Sequence, residues 1–244
     1  MKAMIFAAGL GARLKPLTNN TPKALIPIAG KPMLEHVILR LKAAGFDQIV
    51  INIHHLGQQI LDFLAANNQF GIQIYISDEQ DYLLDTGGGI KKAARFLQGN
   101  EPFLVHNVDI LSNVDLQALY NNHLQSDSLA TLLVSQRNTS RYLLFNEENK
   151  LCGWRNRETG EVKSYYPYFN PEQYREYAFG GIHVISPEIF NWMEEWTGKF
   201  SIINFYLSIC ARTTIQGYLA ENLRLLDIGK PETLAQAEEW IQTI

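Results

Sequence analysis

The chain has 244 residues, is 46% hydrophobic and 19% charged, and carries a formal net charge of -4. This balance describes a folded globular protein with a sizeable core and excludes a polyanion-binding surface, so nucleic acid is not an expected partner. Cys152 and Cys210 supply neither a disulfide framework nor a four-cysteine zinc site, and no apolar run reaches the roughly 20 residues of a membrane span, so a cytoplasmic location without a membrane partner is expected.

Residues 1–8 predict a buried strand, because Met4, Ile5 and Phe6 form an unbroken apolar run of the kind that parallel sheets cover on both faces. A turn follows at Gly9-Leu10-Gly11-Ala12-Arg13, where glycine lets several N–H groups converge on one anion, and Arg13 and Lys23 add mobile positive charge. Residues 34–44 predict a helix with Leu34, Val37, Ile38 and Leu41 on one face and Gly45 as its stop. Strands over 48–53, 71–77 and 102–108 alternate with helices over 57–67 and 89–97, the last strand ending at Asp109. His54 and His55 are adjacent, so on a strand they face opposite ways and make no metal pair. These strand-helix units specify an α/β fold, a doubly wound, mostly parallel, Rossmann-like mixed sheet. Ligands of such sheets sit beyond the carboxyl ends of the strands, where the Gly9 turn, the Thr86-Gly87-Gly88-Gly89 loop and Asp109 all fall.

Further on, a helix over 115–123, a strand over 129–135 and a hairpin over 141–154 are expected. Residues 165–177 are aromatic and polar without a clear period, which predicts a long ordered loop or lid over an acceptor. A strand over 177–185, helices over 187–196 and 202–212, strands over 215–220 and 223–226, and a closing helix over 231–241 complete one domain, residues 1–244.

A dinucleotide-binding strand and turn would need a third glycine, but Leu14 stands where the helix should begin, Arg13 and Lys15 intrude, and no acidic residue closes the second strand. A Walker loop fails because G-K-[ST] is absent. What the stretch resembles is the signature of the sugar-1-phosphate nucleotidyltransferases. It reads Ala7-Ala8-Gly9, Gly11, Arg13-Leu14, Pro16-Leu17-Thr18, Pro22-Lys23, Leu25, Pro27-Ile28, Gly30, Pro32, more than a dozen matches in order.

The resemblance implies a nucleotide-diphospho-sugar transferase fold in which residues 1–125 hold the nucleotide and residues 126–244, with a small β-rich insertion, hold the acceptor. It implies that Ala7, Ala8, Gly9, Gly11 and Arg13 hold the NTP phosphates and that Lys23 neutralises charge where they meet the sugar phosphate. Asp109 and Asp227 would hold Mg²⁺, with Val108 standing where the family has glycine. Glu79, Thr86 and Gly87 would line the base, while Arg155, in place of an absent E-K-P motif, and Gly181 would meet the sugar phosphate. The implied substrates are UTP or GTP and a sugar 1-phosphate such as that of N-acetylmuramate, mannose or heptose. Two alternatives stay open: a binding protein of this fold that has lost catalysis, and a cytidylyltransferase for a non-sugar phosphate such as phosphocholine.

Overall fold

The computed structural model describes residues 1–241. The chain opens with β1 (Lys2–Phe6), passes through three short 3-10 turns and forms a two-residue ladder between β2 (Pro27–Ile28) and β3 (Lys31–Pro32). Helix α1 (Met33–Ala43) leads into β4 (Gln48–Ile53), α2 (Gly57–Ala66) into β5 (Gln73–Asp78), and α3 (Asp85–Lys92) with α4 (Ala94–Leu97) into β6 (Phe103–Asn107). These strands run in parallel in the order β6-β1-β4-β5. The chain leaves β1 in one direction and returns to its other side as β6, which puts a topological switch point between β1 and β6.

Beyond Asp109 come β7 (Ile110–Ser112), α5 (Leu116–Leu124), β8 (Ala130–Ser135), the hairpin of β9 (Arg141–Phe145) and β10 (Leu151–Asn156), and the edge strand β11 (Val162–Lys163). Asp115 caps α5 by accepting the Ala118 N–H at 2.9 Å. The long strand β12 (Arg175–Ile185) joins the halves, pairing antiparallel with β6, β8 and β9. Then α6 (Ile189–Trp192), α7 (Ile202–Ile209), β13 (Ile215–Leu219), β14 (Leu225–Asp227) and α8 (Pro231–Ile241) close the chain. Alternation along β1 explains its continuous apolar run: Ala3 and Ile5 belong to a core on one face with Leu34, Ile38 and Leu41 of α1, whereas Met4 belongs to the other with Phe103 and Ile90.

Two expectations are corrected. Residues 86–89 are not a loop before a helix but lie inside α3, although glycine is a poor helix former. Packing decides the matter: a Cβ on Gly87 would lie 2.3 Å from the Phe200 ring, and one on Gly88 2.5 Å from the Gly198 carbonyl oxygen. Only bare backbone lets α3 lie so close to the segment that starts α7. The helix expected over 187–196 shrinks to Ile189–Trp192; the turns after it are held by Lys91, whose Nζ donates to the carbonyls of Met193, Glu194 and Trp196.

His106, His123 and His183 are buried at 1%, 2% and 2% exposure. Burial lowers their pKa values from 6.5 to about 3, about 4 and about 3. Between those values and 6.5 the unfolded chain binds protons that the folded chain does not, so stability is full above pH 6.5 and is lost as pH falls. Each histidine contributes a slope of about 1.4 kcal/mol per pH unit in that window. The melting temperature is therefore expected to drop clearly between pH 7 and pH 5. A flat profile over that range would show that these rings charge freely in the fold.

Candidate active site

At the carboxyl ends of β1 and β6 lies a cavity of about 320 Å³, walled by Ala7, Ala8, Gly9, Lys23, Asn52, Glu79, Thr86 and Asp109 among others. The turn after β1 is fixed locally. Gly11 has φ 62, and a Cβ there would lie 2.7 Å from Thr18 Cγ2; the Thr18 hydroxyl donates to the Gly11 carbonyl at 2.9 Å. The N–H groups of Ala7 and Ala8 do not point to an anion, since both donate to Asn52 Oδ1, at 2.7 and 3.3 Å. Asn52 in turn donates to Glu79 Oε1 at 2.8 Å, and Glu79 Oε2 accepts the Leu84 N–H at 3.1 Å. Glu79, fully buried, thus braces this wall with both oxygens engaged. Thr86 borders the cavity while its Oγ1 accepts the Ile202 N–H at 2.9 Å; Gly87 stands behind it, donating to the Phe200 carbonyl.

Lys23, 9% exposed, makes an ion pair with Asp109 on the cavity floor. Val108 also borders the cavity, but it is 5% exposed and belongs to the apolar core, so its side chain does not project far into the space.

A larger cavity of about 1010 Å³ adjoins it; Asp85 borders both, and Arg13 and Asp227 line the larger one. Short strand β7 makes the junction, because its antiparallel register with β14 sets Ile110 opposite Asp227, and the Ile228 N–H donates to the Asp109 carbonyl at 2.8 Å. Asp109 and Asp227 are brought together this way. Gly229 leaves a gap that Arg13 and Asp227 both approach: a Cβ there would lie 2.6 Å from Arg13 Nη2 and 2.7 Å from Asp227 Oδ1. That Oδ1 is buried without a hydrogen-bond partner among the described residues.

Three expected acceptor elements are not brought to either cavity. On β10, Trp154 and Asn156 face the larger cavity, so strand alternation turns Arg155 to the other side, where it pairs with Glu172 at 2.7 Å and Glu176 at 3.5 Å. Gly181 has φ 71, and the space of its missing Cβ is taken by Ile110 and Asn107, so it serves strand packing. Residues 165–177 pack away from both cavities, with Tyr166 bonded to the Cys210 carbonyl at 2.9 Å and Phe169 stacked on Tyr174. The residues that do line the larger cavity and were missed include Arg137, Arg141, Lys163 and Asn204. The first two reach the cavity through strand direction, which no local pattern shows: β8 and β6 are both antiparallel to β12, so β8 runs in the direction of β6 and residues 136–141 leave the sheet at the edge that carries Asp109.

An open α/β sheet whose cavities lie at the carboxyl ends of its strands has its ligand site at the switch point. Solved structures with the same fold include HddC from Yersinia pseudotuberculosis complexed with GMP-PN, at TM-score 0.76 and 22% identity over 98% of this chain and 99% of that one. Another is a UDP-glucose pyrophosphorylase complexed with UDP-glucose, at TM-score 0.77 and 18% identity over 99% and 98%. More narrowly, the chain belongs to the nucleotidyl transferase family, whose profile matches residues 2–243, and is therefore an enzyme of nucleotidyl transfer. It is 31% identical to an N-acetylmuramate alpha-1-phosphate uridylyltransferase of Caulobacter vibrioides over 97% of this chain and 95% of that relative. Identity to the enzyme of that name from Neisseria meningitidis is 48%, over 49% of this chain and 52% of the relative. It is 28% identical, over 99% of both chains, to a D-glycero-alpha-D-manno-heptose 1-phosphate guanylyltransferase of Aneurinibacillus thermoaerophilus.

Proposed function

We propose that the protein transfers a nucleotidyl group from an NTP to a sugar 1-phosphate, releasing pyrophosphate, with UTP and N-acetylmuramate 1-phosphate as the leading pair. The observation that carries this reading is the junction: two cavities meet where Asp109 with Lys23 borders one and Asp227 with Arg13 borders the other. A nucleotide in the smaller cavity and a sugar phosphate in the larger would bring their phosphates together there. The sugar phosphate is already an anionic nucleophile, so its oxygen attacks the α-phosphorus in line without a protein base, and pyrophosphate leaves. Lys23 and Arg13 screen the repulsion between the two polyanions as they close.

The donor set fits Mg²⁺. Two carboxylates offer hard oxygens, the buried Asp227 Oδ1 lacks a partner among the described residues, and the remaining ligand places suit phosphate oxygens and water. Bound there, such an ion would supply charge neutralisation to the reacting phosphates. A phosphocholine acceptor fits less well, because a quaternary ammonium calls for an aromatic, acidic cage, whereas the larger cavity carries Arg13, Arg137, Arg141 and Lys163 against Asp85, Glu161 and Asp227.

The test is pyrophosphate release from the purified protein with Mg²⁺, screening the four NTPs against 1-phosphates of N-acetylmuramate, mannose, heptose and glucose. Turnover is expected with UTP or GTP and at least one sugar. Absence of release above blank for every pair would remove the proposal.

A further inference from the structure

The hairpin of β9 and β10 carries arginines on both faces, and the two faces are treated differently. Away from the cavity, Arg155 pairs with Glu172 and Glu176, and Arg157 pairs with Glu176 at 2.9 Å. Toward the cavity, Arg141 and Arg137 have no carboxylate within 4.0 Å among the described residues. Arg137 is half-buried, its Nη2 donates to the Phe179 carbonyl at 3.2 Å, and its Nε is buried without a partner. Desolvating a guanidinium with an idle donor is costly unless an anion completes it.

Register places these two groups together and apart from the reacting phosphate. Tyr177 pairs with Leu143 in antiparallel β12 and β9, so Phe179 lies near the level of Arg141, and Arg141 pairs with Asn156. Phe179, to which Arg137 is tied, stands two residues before Gly181, the residue that packs on Asn107 beside the junction. The Arg137–Arg141 cluster is therefore offset along β12 from the junction, within the same cavity. The same cavity offers Trp154 and Phe179, flat apolar surfaces against which a sugar ring can lie.

We infer that Arg137 and Arg141 select an acceptor bearing a second anionic group, a carboxylate carried on the sugar itself. The planar guanidinium fork matches a carboxylate, and its charge completes the two unpaired cations. This rests on the sugar 1-phosphate reading and adds the determinant of which sugar is taken.

The test compares N-acetylmuramate 1-phosphate with N-acetylglucosamine 1-phosphate, which lacks the carboxylate-bearing ether, and glucuronate 1-phosphate with glucose 1-phosphate. The wild type is expected to favour the carboxylated member of at least the first pair by about thirtyfold or more in kcat/KM. Arg137→Gln and Arg141→Gln should each reduce that ratio to within a few-fold of unity, with the loss in acceptor KM rather than kcat. Arg157→Gln, on the opposite face, should leave the ratio as it is. Arg141 is exposed, so its variant remains informative if Arg137→Gln folds poorly. Equal use of both members, equal loss on both in the two variants, or a preference for glucose 1,6-bisphosphate over every carboxylated sugar would overturn the inference while leaving sugar 1-phosphate transfer intact. Failure of all sugar 1-phosphates would instead remove the underlying reading.

Discussion

Asp227→Ala is expected to lower turnover by about a thousandfold, the scale of losing one electrostatic element at a transferring phosphoryl group. Its melting temperature should stay within about 2 °C of wild type. The two halves of that expectation have one cause. Asp227 Oδ1 is buried and bonds to nothing among the described residues, so the fold gains little from it, and the backbone pairing of Leu226 and Asp227 with β7 does not depend on the side chain. A buried carboxylate oxygen kept without a partner on a half-buried residue is a cost that function explains better than stability does. Steady-state pyrophosphate release together with thermal melting checks both halves. Near-normal turnover would take Asp227 out of the reaction, and a collapse of the fold would make it structural.

The second large effect is expected at Asn52→Ala. Asn52 is 2% exposed and ties three parts of the smaller cavity's wall together: Ala7 and Ala8 after β1, its own strand β4, and Glu79. The truncation strands two backbone donors and one oxygen of a fully buried carboxylate, a loss of about 3 kcal/mol. For a chain of this size that corresponds to a fall of roughly 6–12 °C in melting temperature. Asn52→Asp should be no better, because it keeps the acceptor for Ala7 and Ala8 but sets a carboxylate against Glu79. An unchanged melting temperature in Asn52→Ala would mean that water replaces the side chain freely.

These residues also mark what could be seen from the sequence. The parallel half was legible because its strands are rich in apolar residues and separated by periodic helices; β4, for instance, spans the expected residues 48–53. Asp109 and Asp227 were legible as strand-end carboxylates, but what joins them was not. β7 has three residues, too short for any periodicity to register, and its pairing with β14 is a tertiary fact. The same limit explains α3, where contacts with Phe200 and Gly198 override the poor helix propensity of three glycines. Arg155 shows the sharpest limit: on a strand one position decides the face, and nothing local distinguishes it from Trp154 or Asn156. A turn does follow β1 at Gly9 to Gly11, yet the Ala7 and Ala8 N–H groups beside it serve Asn52.

The β7–β14 pairing has a further consequence, in the order of assembly. Its two strands are separated by residues 113–224 of the chain, so the loop they close is among the longest in the molecule, and contacts of such separation form late in folding. During synthesis from the N-terminus, the parallel sheet can pack long before Asp227 is available to stand beside Asp109. A nascent or prematurely ended chain can therefore have a folded parallel sheet and still lack Asp227 beside Asp109, so that the junction is completed only after β14 has been made.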